Sequence, residues 1–188
     1  ISGREDLAQS LVTRAEVARS TAEALLGHEH EATAAAERAL EVARRFDGDG
    51  KAGLAVALRA LALAQPISGA LGPSEGTLRE ALAAVDDDAD PILHAALLDD
   101  LGDVLIQTFR NAEAEAVLRN ALECRTRRLG ARHPWTAESA SKLGTALFNQ
   151  SKGPPELPGL WIDALAVLEE RGLETPVHAS VLNNLGAW

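Results

Sequence analysis

The chain has 188 residues, a net charge of −10, 46% hydrophobic and 24% charged residues. Its 36 Ala and 29 Leu, against three Phe, three Trp and no Tyr, favour helix over strand and exclude an all-β fold; the length suits one domain with a sizeable core. The single Cys124 excludes a disulfide framework and a multi-cysteine zinc site, and a pI near 4.9 runs against nucleic acid, whose phosphates need a basic face.

In chain order, residues 5–26 read as a first helix that pairs with the segment 22–45, where Gly27, Ala32, Ala36 and Ala39 recur at helical offsets. The string His28-Glu29-His30-Glu31 falls at the turn between them. Histidines two apart cannot share a helical face and lack zincin spacing, so this is a polar turn rather than a metal site. A helix over 51–65 stops at Pro66; a loop with Gly69, Gly72 and Pro73 leads to a helix over 74–85. That loop lacks the Lys-Ser/Thr of a phosphate loop. The longest apolar stretch, 54–64, is broken by Arg59 and is about half a bilayer span, so no membrane partner is expected. The run Asp86-Asp87-Asp88-Ala89-Asp90 lacks the Gly and closing Glu of a calcium loop and reads as a helix end leading into an Asp90 N-cap.

From there the chain becomes periodic. Leu-Gly recurs at 101–102, 143–144 and 185–186, a spacing of 42, and each pair follows an X-Pro: Asp90-Pro91, His133-Pro134, Thr175-Pro176. Proline suits the first helical position, with Asp90 and Thr175 as good N-caps and His133 a poorer one. Glycine in a helix interior costs up to about 1 kcal/mol relative to Ala, so Gly102, Gly144 and Gly186 are expected where a neighbouring helix leaves no room for a Cβ. The unit is a helix over 91–108, a turn, and a helix over 111–129 with Ala114, Val117, Leu118, Ala121, Leu122 and Leu129 inward. Glu113, Glu115, Arg119, Glu123, Arg125 and Arg128 fall on its polar face, and Gly130 ends it. In the next unit the stretch 152–158 replaces the tight turn and pushes the second helix to about 159–171. Trp135 and Trp161 read as core anchors at unit junctions, and Cys124 as a packed thiol.

Leu101, Gly102, Leu105, Ala114, Leu118 and Ala121 resemble the tetratricopeptide repeat pattern. The 42-residue period, the run 127–136 and Leu182-Asn183-Asn184-Leu185-Gly186 are similar to kinesin-light-chain-type repeats. The resemblance implies an all-α fold, a right-handed α-α superhelix of about four and a half helical hairpins. Its units would be 5–47, 50–88, 90–130, 132–172 and 175–188, within one domain covering 1–188. It also implies a concave groove, lined by the first helix of each pair, that takes a partner peptide or domain.

Offsets from the Leu-Gly marker place Asp99, Asp100, Asp103 and Gln107 in that groove, then Glu138, Ser141, Lys142, Thr145 and Asn149, then Asn183 and Asn184, with Ala96, Ser180 and Ala187 beside them. Amides offer donor and acceptor to a peptide backbone, and the aspartates favour a basic partner. No nucleophile–base constellation is evident, so the expected role is non-enzymatic, without cofactor or metal: a protein-interaction arm of a larger bacterial regulatory or signalling protein in the cytoplasm. The start at Ile1, the absence of Met and an apolar-periodic end without a stop signal point to an excerpt of a longer chain. The alternative is self-association through Val181, Leu182, Leu185 and Trp188 on the last helix.

Overall fold

A computed structural model describes residues 2–45, 50–65, 73–85, 88–150, 157–172 and 176–187. Among them are nine helices and no strand: α1 (Ser2–Leu25), α2 (Glu29–Arg45), α3 (Gly50–Ala64), α4 (Pro73–Ala84), α5 (Pro91–Gln107), α6 (Asn111–Leu129), α7 (Pro134–Asn149), α8 (Leu157–Glu170) and α9 (Pro176–Ala187). The expectations for Pro66, Gly69, Gly72, Asp86, Asp87, the insert at 152–156, Thr175 and Trp188 lie outside the described residues. The chain divides into two compact units, residues 1–93 and 94–188.

In the first unit α1 packs on α2 and α3, and α3 also meets α2 and α4. Its buried positions are rich in alanine. Ala32, Ala35, Ala36 and Ala39 line one stripe of α2 and are fully buried, as are Ala55 and Ala57 of α3. On α2 the spacing of three and four places the alanines on one face, and methyl groups let two backbones approach closely. The Thr33 hydroxyl donates to the Ala64 carbonyl at 3.2 Å, tying α2 to the end of α3. The turn after α1 uses Gly27 at φ 77°, where only glycine avoids a Cβ penalty. The Gly27 and His28 amides then close on the Ala24 and Glu23 carbonyls.

In the second unit α5 begins under the Asp90 cap, whose Oδ1 accepts from the Leu93 amide at 3.0 Å. His133, expected to be the poorer cap, nonetheless caps α7: its Nδ1 accepts from the Trp135 amide at 3.2 Å, a role any acceptor so placed can fill. The glycine expectation holds twice. A Cβ on Gly102 would stand 2.5 Å from Leu118 Cδ2, and one on Gly144 would stand 2.9 Å from Trp161 Cε2. The second helix of each hairpin therefore presses one large side chain onto the glycine of the first. Gly186 is the exception: nothing lies within 4 Å of its Cβ position, because no described helix crosses it.

Two further expectations are corrected. Trp161 is fully buried, but Trp135 is 49% exposed; it sits in the first turn of α7, its edge against the His133 ring with centroids 5.3 Å apart. Val181 is not on an open face but fully buried, since α9 packs against α7 and α8. Leu182 keeps 48% exposure.

The turn from α5 to α6 has the same hydrogen-bond pattern as the turn after α1. The Phe109 amide donates to Ile106 and the Arg110 amide to Leu105. Here the left-handed residue is Phe109, at φ 60° and 88% exposed. An L side chain in that conformation costs roughly 1–2 kcal/mol that glycine would not.

Candidate protein-interaction site

The residues singled out by offset separate by position on the helix. Three residues before the marker glycine, the side chain is buried in two of the three units. Asp99 and Ser141 occupy that offset and are 1% and 2% exposed. Asn183, at the same offset in α9, is exposed.

Asp99 is met from two helices. Its Oδ2 lies 2.5 Å from Arg125 Nη1 of α6 and accepts from the Ser139 hydroxyl of α7 at 2.9 Å. Arg125 Nη1 also donates to the Trp135 carbonyl at 2.6 Å and to Ser139 Oγ at 3.1 Å. Arg125, read from sequence as part of the polar face, is 4% exposed. It continues the inward stripe Ala114, Leu118, Ala121 by one more turn, the signal that could have revealed its burial. Asp99 Oδ1 and Arg125 Nε are buried without a hydrogen-bond partner among the described residues. Burial pushes the Asp99 carboxyl up to about 7, against the pull of Arg125, Lys142 and the Ser139 hydroxyl.

Ser141 and several residues at other offsets face a cleft. Asp103, Ile106 and Gln107 of α5, Glu138, Ser141, Lys142 and Thr145 of α7, and Val177 and Ser180 of α9 enclose about 340 Å³. Its walls are the first helices of successive hairpins. The Lys142 ammonium reaches Asp103 Oδ2 at 2.7 Å and Glu138 Oε1 at 3.4 Å. Burial works against that charge, but Asp103, Asp99 and Glu138 outweigh it and hold Lys142 above its ordinary range. Burial also raises the Asp103 carboxyl, with Lys142 opposing. Asn184 of α9 donates to Thr145 Oγ1 at 2.8 Å, so this amide is engaged with α7. Asp100 is buried, while Asn149 donates to Asn111, the first residue of α6, at 3.3 Å. Six of the eleven predicted residues thus line one cleft: Asp103, Gln107, Glu138, Ser141, Lys142 and Thr145. Asp99, Asp100, Asn149, Asn183 and Asn184 do not. The apolar members Ile106 and Val177 went unnoticed because no charge or amide marks them.

Elsewhere the chemistry is sparse. Among the described residues no group of three or more His, Cys, Asp or Glu could hold a metal ion. His28 Nδ1 lies 2.9 Å from Glu23 Oε2 across the first turn, and Cys124 is buried on α6. No described helix is long and apolar enough to cross a membrane.

Residues 93–152, from the start of α5 to just past α7, match the family described as tetratricopeptide repeat. Over that stretch the chain is similar to tetratricopeptide repeats. Tetratricopeptide repeats generally mediate protein–protein interaction, and the helical scaffold is typically non-catalytic. No curated protein matches the chain.

Proposed function

We propose that the chain is a protein-interaction module whose docking site is the cleft between α5, α7 and α9. The observation that carries this reading is the convergence of three first helices on one open cleft with charged, hydroxyl and aliphatic side chains side by side. A volume near 340 Å³ lies at the small end of ligand pockets. It fits a few side chains of an extended or helical peptide.

The test is selection of random decapeptides on the chain, comparing the parent with Ser180→Trp, which fills the cleft from the exposed face of α9. Peptides retained by the parent and lost by a folded S180W chain support the reading. Equal retention by both overturns it.

A further inference from the structure

The walls of the cleft say which chemistry it accepts. Among its charged groups, those that face solvent are the carboxylates: the Asp103 and Glu138 side chains are 40% and 32% exposed, whereas Lys142 is only 15% exposed. The cation is recessed between them and already engaged by both. Glu138 Oε2 also lies 3.8 Å from Arg125 Nη1, yet Asp103 and Glu138 each keep acceptor capacity beyond these contacts, since a carboxylate offers about four lone-pair sites. An acidic partner would meet two anions first and find the lysine spent. A neutral partner would bury two carboxylates with nothing new to offset their lost hydration. A second cation meets the unfilled acceptors, and a guanidinium, with five donors in a planar fork, can reach two carboxylates at once. Ile106 and Val177 supply an apolar surface beside them for the stem of that side chain or an adjacent aliphatic residue.

Taking the cleft as the docking site, we propose that its occupant is an arginine-bearing peptide segment, its guanidinium between Asp103 and Glu138 and an aliphatic side chain against Ile106 and Val177. Lys142 is then a resident competitor: it holds the two carboxylates in place when the cleft is empty and weakens the incoming cation when it is filled.

The experiment uses the whole chain and three fluorescein-labelled decapeptides of repeated Gly-Leu-X, with X as Arg, Gln or Glu, read by fluorescence anisotropy with thermal midpoints recorded in parallel. The arginine peptide is expected to bind at least tenfold tighter than the glutamate peptide. Asp103→Asn and Glu138→Gln should each weaken it threefold or more. Lys142→Met should strengthen it, and Glu41→Gln, the same charge change on α2, should leave it unaltered. Should D103N fail to fold, the opposite signs expected of E138Q and K142M still decide the matter. The proposal falls if the glutamate peptide binds equally well, if K142M weakens the arginine peptide, or if E41Q acts like E138Q, which would reduce the effect to net charge. Glutamine or glutamate peptides that bind the parent and are lost in S180W would overturn the arginine assignment while leaving the docking site standing. Retention of no peptide, including none from the random decapeptides, would overturn both.

Discussion

The hairpins α5–α6 and α7–α8 answer one packing problem in two ways. Each brings a glycine of the first helix against a large residue of the second. In one the residue is Leu118, sixteen positions on; in the other it is Trp161, seventeen positions on. The connection grows from three residues, 108–110, to seven, 150–156, yet the glycine is still met. Three residues before each glycine the solutions diverge. Asp99 forms a buried ion pair with Arg125, while Ser141 offers its carbonyl to Trp161 Nε1 at 3.3 Å. Seven positions after the large residue stands Arg125 in one hairpin and the buried Leu168 in the other. The repeat therefore conserves a shape, a void at the glycine filled from across, and leaves the polarity around it open.

The strongest way to break this comparison is to empty the void. Trp161→Ala is expected to cost about 4 kcal/mol and Leu118→Ala about 3 kcal/mol in urea denaturation, since the tryptophan also loses its bond to Ser141. Filling the glycine positions comes next. Gly144→Ala should destabilise by about 2 kcal/mol, because a rigid indole must move. Gly102→Ala should cost less, since Leu118 has other rotamers. Gly186→Ala should gain up to about 1 kcal/mol from helix propensity alone. Equal effects at all three would mean the glycines do not mark helix crossings.

Acid titration sharpens the polar half of the comparison. The Asp99 carboxyl titrates near 7 in the folded chain and near 3.8 unfolded. The folded state holds the extra proton between those values. The stability Asp99 contributes is thus fully present below the lower value and is lost as pH rises through the upper. The gap in unfolding free energy between the parent and Asp99→Asn should widen in favour of the parent from pH 8 to pH 4. A flat difference would mean that Asp99 is ionised throughout. The smallest effect is expected at the α5–α6 turn, where Phe109→Gly should stabilise by about 1 kcal/mol by relieving the left-handed backbone, measured by the same denaturation.

Much of the second unit was readable because its signals are local. Proline at 91, 134 and 176 fixes where helices start, and the structure begins α5, α7 and α9 at those residues. The second helix of the first hairpin, expected over 111–129, is α6 at those bounds; α8 begins two residues earlier than the 159 expected, with Pro158 inside its first turn, where proline is tolerated, rather than ahead of it. The cleft was half readable. Offset from the glycine gives the face of the helix, but not whether a second helix covers it. Asp99 looked like a groove residue because its partner, Arg125, lies 26 positions away on another helix. Trp135 looked like core because size alone argues for burial, whereas its place in the first turn of α7 leaves half the ring in water. In the first unit the alanine contacts carry no marker as distinct as Leu-Gly, and its pairing was visible mainly through helix breakers.

Arg125 has a consequence for how the second unit assembles. Two of its acceptors, the Trp135 carbonyl and the Ser139 hydroxyl, belong to α7. Were α7 undocked, Arg125 would lose the Trp135 carbonyl and Ser139 hydroxyl, Asp99 would lose its Ser139 bond, and the ion pair between α5 and α6 would lose the cover that keeps water from it. The first pair thus gains its full stability only when its successor arrives. Neighbouring segments of this array should melt together in one transition, and a chain cut between Gly130 and Pro134 should fail to hold α5 and α6 in place.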